Sequence, residues 1–266
     1  MTVRAAFTRA DDPAEYIAIE GAAGPWSPDT CHGGAPAALL VQVAEGIAAP
    51  APMSVARVTM DLLRRVPLGR LRVESRVVRE GKKIQLLALE LRANGVEVAR
   101  ATVLRMRREP ERVPDPVSSL TTPFPGPDAG RVTTGATGGF AGLFTMRAVR
   151  GGFEHQGPGS VWFRMDASLV AGMATSPAAR AVAAADFANG VASVLPFEQW
   201  LFPSTDLTAA LLRRPEGDWV LVDAESWLGA EGRSLGQVRL GDERGWFGTA
   251  TQTSLVEARH QEGRQG

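Results

Sequence analysis

The chain has 266 residues, 44% hydrophobic and 22% charged, enough apolar material for a substantial core. Its 29 basic and 29 acidic residues balance, so no general attraction to nucleic acid or to an anionic membrane is expected. One cysteine, Cys31, and three histidines argue against a disulfide framework, a metal centre or a metal cofactor.

The first residues, MTVRAAFTRADDPAEY, lack the apolar region of a secretory signal. No apolar run approaches the length of a spanning helix, so a cytoplasmic protein is expected. A short strand is predicted around Tyr16–Ile19. After the turn-rich Gly24-Pro25-Trp26-Ser27-Pro28, the run Cys31-His32-Gly33-Gly34 leads into a helix predicted over 34–49. Leu39, Leu40, Val43 and Ile47 recur there at helical spacing, and Pro50 and Pro52 end it. Strands are predicted at 54–65, 71–80, 83–94 and 96–107, as a four-stranded meander. Asn94-Gly95 is a strong hairpin signal, because both turn positions need positive φ.

Residues 109–142 are rich in proline and glycine and read as a linker. A second unit, 143–259, repeats the pattern. Strands are predicted near 143–150 and 160–167, a helix at 177–194, then strands near 205–213, 218–228, 234–241 and 245–257. A polar tail, 260–266, closes the chain. The likeness extends to residues: LLRRVPLGRLRVES at 62–75 reappears as LLRRPEGDWVLVDAES at 211–226. A repeat at half-length indicates a domain solved twice, with units 1–108 and 143–259. The fold class is α+β, two helices each wrapped by an antiparallel sheet.

Asp186 is surrounded by alanines in an apolar helix, where a carboxylate needs a reason. It is a helix-edge acid, an acid accepting a hydrogen bond from Asn189, or a general base in a cleft. Gln252 lies in the last long strand, and alternation puts it on one face with Ala250 and Ser254. Ser226 ends the repeated strand and is followed by Trp227. His32-Gly33-Gly34 opens the first helix, where bare backbone N–H groups suit a polarised carbonyl. Tight-turn glycines and a surface histidine are the plainer reading. Arg64-Arg65 and Arg213-Arg214 read as solvated strand ends, with phosphate contact as the alternative. Trp162, Trp219, Trp227 and Trp246 are more in keeping with core or interface than with a ligand box. Gly232-Arg233-Ser234-Leu235-Gly236 matches the nucleophile elbow G-x-S-x-G, with Asp242 and His260 downstream. That elbow needs a helix after the serine, and here a strand and hairpin follow.

These segments resemble the acyl-CoA thioesterases of double HotDog fold, the bacterial thioesterase II type and its actinobacterial relatives. The resemblance runs through VWFR at 161–164, AAADFANG at 183–190, DLTAALLRRPEGDW at 206–219, AESWLGAEGRSLGQVRL at 224–240 and DERGWFGTATQTSLVEAR at 242–259. HGGAPAALL at 32–40 is similar to the helix start of HotDog thioesterases generally. It implies acyl-CoA hydrolysis without a cofactor, and a homo-oligomer. It matches Asp186 and Gln252 to the acid and amide that hold the hydrolytic water. His32, Gly33, Gly34, Asn189 and Trp227 are expected around the substrate. The family's hydroxyl falls on Trp227 in the most direct alignment, with Ser226 beside it. A one-residue shift in a strand changes the face, so Ser226 is the candidate third group. If Trp227 fills that place instead, the alternative is a silent HotDog protein that binds an acyl thioester. A hydratase on this scaffold needs a histidine near the acid; none is near Asp186 in sequence, though a folded His32 could still approach it.

Overall fold

A computed structural model describes residues 4–108, 121–133 and 137–259. The tail 260–266, with His260, and the first part of the expected linker lie outside them.

Two short strands, β1 (Ala5–Arg9) and β2 (Glu15–Ala18), open the chain as a hairpin. The first helix, α1 (Gly34–Gly46), is buried over most of its surface, which is why it carries no broad polar stripe. It stops at Gly46 rather than 49, because the Arg105 guanidinium takes the carbonyls of Ala44 and Ile47. A cation on the last carbonyls is a stable helix end.

Four strands follow close to their predicted spans: β3 (Met53–Leu62), β4 (Gly69–Arg79), β5 (Ile84–Ala93) and β6 (Val96–Arg107). Asn94 and Gly95 have φ of 49° and 77°, as a two-residue hairpin requires. The spatial order corrects the expected meander. Strands β4, β5 and β6 are consecutive neighbours, but β3 pairs with β6 and not with β4. Alternation along a strand reports which face is buried, not which strand lies beside it.

The second unit contains β7 (Arg131–Val132), β8 (Phe144–Arg150), β9 (Gly159–Met165) and β10 (Ser168–Val170). Part of the stretch read as linker belongs to the core. Phe140 is fully buried, and the Trp162 indole donates to the Pro125 carbonyl at 3.0 Å. The helix expected over 177–194 is two pieces, α2 (Pro177–Ala185) and α3 (Ala188–Val191), broken at Asp186-Phe187. Then come β11 (Trp200–Leu201), β12 (Asp206–Leu211), β13 (Trp219–Gly229), β14 (Arg233–Asp242), β15 (Gly245–Leu255) and β16 (Glu257–Ala258).

Among the described residues, fourteen strands form one sheet, ordered β10-β1-β2-β4-β5-β6-β3-β12-β15-β14-β13-β9-β8-β7. Its centre is a seam where β3 and β12 pair antiparallel, from Asp61↔Asp206 to Arg57↔Ala210. Either side of the seam the order repeats in reverse, so the halves are related by an approximate two-fold axis. This is a double HotDog. Strand β1 pairs in parallel with β10, although β10 follows β9 after only Asp166 and Ala167. The sheet therefore curls until its two ends meet, around a pair of helices.

The helices run antiparallel. A Cβ on Gly34, at the start of α1, would lie 2.8 Å from the Ala183 carbonyl near the end of α2. At the other end, Gln42 of α1 donates to the Ala174 carbonyl and accepts from the Ser176 N–H, just before α2. The alanines of α2, 178, 179, 181 and 183–185, are all buried. Small side chains let the helices and sheet approach closely.

Candidate active site

The start of α1 meets the end of α2, and most of the residues expected at the site gather at that junction. Asp186 caps the C-terminal end of α2 and is 6% exposed. Its carboxylate lies against the first turn of α1. A Cβ on Gly33 would be 2.8 Å from Oδ2 and 3.1 Å from Oδ1. Only glycine leaves room there, and the positive end of the helix dipole faces the carboxylate.

His32 is brought to Asp186 by the fold. Its Nδ1 is 2.9 Å from Asp186 Oδ2 and 3.1 Å from the Gly34 nitrogen. One ring nitrogen cannot donate to the carboxylate and accept from the amide at once. The charge-assisted bond is the stronger. The proton is therefore assigned to Nδ1, donating to Asp186, and the buried Gly34 N–H, which is directed at that nitrogen, loses its acceptor there. The ring is held between Phe140 and Phe187, at 5.3 Å and 4.4 Å between centroids.

The sheet supplies the other side. The inward faces of β13, β14 and β15 present a row of Ser226, Gly236 and Gln252, aligned by strand register. The next row holds Ser234 and Ser254. Gln252, 1% exposed, donates from Nε2 to Asp186 Oδ1 and, at 2.5 Å, to Ser204 Oγ. Its Oε1 accepts from Asn189 Nδ2 at 3.1 Å. Asn189 also donates to Ser254 Oγ at 2.5 Å and accepts from Ser226 Oγ at 3.3 Å. Every bond has one direction: Ser226 to Asn189, Asn189 to Gln252, Gln252 to Asp186. With His32 on the other oxygen, Asp186 is the terminal acceptor of the network.

Of the residues expected from sequence, Asp186, Gln252, Ser226, Asn189, His32, Gly33 and Gly34 share one cluster. Trp227 does not join them, which corrects its expected place around the substrate. It is 44% exposed on the outer face of β13, paired with Leu235 of β14. Successive strand residues face opposite sides, so turning Ser226 inward sends Trp227 outward. Ser204 and Ser254 were not singled out as site residues, and Ser234 was weighed only as the serine of a nucleophile elbow. Ser254 shares the face of Gln252 by alternation, so its signal was present. Ser204 comes from a loop, and only folding brings it near.

Other candidates fall elsewhere. Asp242 is at the far end of β14 from Ser234 and forms a two-pronged ion pair with Arg213, both contacts at 2.6 Å. Arg213 is thus a core clamp and not a solvated strand end. Ser234 lies within a strand, so the elbow motif is not an elbow. Trp162, Trp219 and Trp246 pack with Leu221 in a second apolar cluster.

The opposite end of the helix pair is the two-fold counterpart of this site; its polar groups pair among themselves, beside a cavity of about 180 Å³ lined by Glu45, Ala178, Leu211 and Arg214. Gln42 takes the Ser176 N–H, and Ser176 Oγ accepts from Ala179 N and bonds to Glu45. Burial pushes the Glu45 carboxyl above its ordinary range, against the opposing pull of Ser176 and of Arg105 and Arg214. Gln85 and Arg105 fill the sheet side.

The sequence matches the acyl-CoA thioesterase N-terminal domain over residues 22–106 and the C-terminal domain over 110–256. None of the curated proteins matches it in sequence. Among solved structures it is similar to a candidate thioesterase II from Thermobifida fusca YX, with 18% identity, TM-score 0.75 and coverage of 95% of this chain and 97% of that one. It is also similar to a hot dog protein from Alicyclobacillus acidocaldarius, at 17% identity, TM-score 0.74 and coverage of 95% and 96%. The acyl-CoA thioesterase II TesB2 from Mycobacterium marinum aligns at 15% identity, TM-score 0.69 and coverage of 95% and 96%. At these identities the structures speak for the fold, while the domain matches cover both halves of the sequence. The chain belongs to the acyl-CoA thioesterase family.

Proposed function

We propose that the protein hydrolyses acyl-CoA thioesters at the junction of α1 and α2, with Asp186 as the base. The observation that carries this reading is the one-way donor network that ends on the Asp186 carboxylate. Gln252 and His32 each hold one carboxylate oxygen, which fixes its orientation. Asp186 takes a proton from water as the water attacks the thioester carbonyl. Gln252 and Ser226 orient that water. The Gly34 N–H, at the start of α1, supports the negative charge on the carbonyl oxygen. Collapse of the tetrahedral adduct breaks the C–S bond. The proton held by Asp186 passes to the departing CoA sulfur.

The silent-binder alternative rested on Trp227 replacing a hydroxyl, and the inward Ser226 favours hydrolysis over it. No helix among the described residues is long and apolar enough to cross a membrane, in keeping with a cytoplasmic enzyme. A homo-oligomer remains the expected assembly, with light scattering as its test.

The test is CoA release from short, medium, long and aromatic acyl-CoAs, by wild type and Asp186→Asn. General base catalysis contributes about 100-fold or more, so the variant should lose at least that in kcat with its fold intact. Equal rates in the two proteins would remove Asp186 from the mechanism. No release from any ester by folded wild type would return the binding reading.

A further inference from the structure

Ser234 is the polar group that the network leaves out. Strand β14 turns it inward, two residues before Gly236, and it is 6% exposed. Its hydroxyl is buried and has no hydrogen-bond partner among the described residues. Native interiors seldom leave a hydroxyl in that state.

The hydroxyl borders a narrow cleft of about 10 Å³, roughly the room needed by one water or one hydroxyl. Asn189 and Ser226 line the same cleft, so it adjoins the reacting centre. Leu195, Phe202 and Val256 give it apolar walls. Two residues along a strand is roughly 7 Å, so Ser234 stands a short acyl chain's length from the row of Ser226 and Gln252. A plain alkyl end placed here would leave the serine unpaired, and a long chain has no room.

We propose that this cleft receives an oxygen carried near the end of the acyl group, and that Ser234 hydrogen-bonds it. The substrate class is then short hydroxyacyl or oxoacyl thioesters, not plain fatty acyl chains. This inference rests on the thioesterase reading of Asp186. A site built to bond a substrate hydroxyl discriminates against the analogue that lacks it.

The test compares kcat/KM for CoA release from hydroxybutyryl-CoA and butyryl-CoA, with dodecanoyl-CoA as the long chain. Wild type, Ser234→Ala and Ser234→Thr are measured, each with a melting curve. Wild type should favour the hydroxyacyl ester by about tenfold and turn over the long chain least. Ser234→Ala should bring the ratio near one, and Ser234→Thr should restore part of it. If Ser234→Ala fails to fold, the wild-type ratio decides alone. Equal rates on the two short esters overturn the proposal and leave the thioesterase reading standing. A fall in both rates at constant ratio in Ser234→Ala also overturns it, assigning the serine a structural role. No CoA release from any ester overturns both readings.

Discussion

The amide oxygen of Asn189 lies 3.2 Å from the point where a Cβ on Gly236 would stand. Strand β14 has a gap in its inner face, and the Asn189 side chain fills it. That is how one asparagine reaches Ser226, Gln252 and Ser254 together. Gly236→Ala should therefore push Asn189 away and detach Ser226 from the network. The expected result is a fall in kcat of about tenfold with a small change in Tm. Steady-state kinetics beside a melting curve check it, and unchanged kcat would show that Asn189 has slack.

Ser226 and Trp227 give the sharpest contrast between neighbours. Ser226→Ala should lower kcat about tenfold or more, since a water-orienting hydroxyl is lost. Trp227→Ala, on the outer face, should change kcat by no more than about twofold. Reversed effects would mean that β13 is shifted by one residue.

The two glycines at the start of α1 should fail differently. Gly33→Ala brings a methyl within 2.8 Å of Asp186 Oδ2, so its main effect falls on activity. Gly34→Ala meets the Ala183 carbonyl, which is backbone and cannot swing aside. Overpacking of that kind costs about 1–3 kcal/mol, so its main effect falls on stability. Parallel kinetics and denaturant unfolding separate the two.

Much of this arrangement was legible in the sequence. Periodicity located α1 and the long strands, Asn94-Gly95 marked its hairpin, and an acid among alanines singled out Asp186. Three things escaped that reading. The placement of β3 beside β6 is a relation between strands, which no single strand's pattern contains. The break after α2 did leave a signal in the Asn189-Gly190 pair, but the apolar residues on either side outweighed it. The approach of His32 to Asp186 needs the antiparallel helix pair. Proximity in sequence was therefore a poor guide to whether the acid had a histidine partner.

Acid sensitivity should centre on Asp242. Burial raises its pKa, but the Arg213 hydrogen bonds and the N–H groups of Glu216 and Arg244 outweigh that and hold it below the ordinary 3.8. A depressed carboxylate contributes stability above its unfolded pKa and loses it as pH falls through the folded value. The loss should thus begin below about pH 4 and be smaller in Asp242→Asn. Arg213→Met strands a buried charge and should cost about 3–5 kcal/mol at neutral pH. Urea unfolding across pH 2.5 to 7, taken as an approximate span, checks both.

Cys31 should not disturb a thiol-reagent assay. Burial pushes its thiol up to about 12, so at neutral pH it holds almost no reactive thiolate. The folded protein should release no colour with such a reagent, and one equivalent should appear on denaturation.

Two separate copies of one unit, paired about a true two-fold axis, would be bound to carry the same groups at both ends of the helix pair. Joining the units in one chain lifts that constraint. One end is free to keep an unfilled helix start facing Asp186, while the other spends its polar groups on Gln42, Ser176 and Glu45 as a permanent fastening. The fastened end resists separation of the helices, so the other end can tolerate a tightly crowded carboxylate. A division of labour between holding and reacting is thus built into a fold whose halves began as equals.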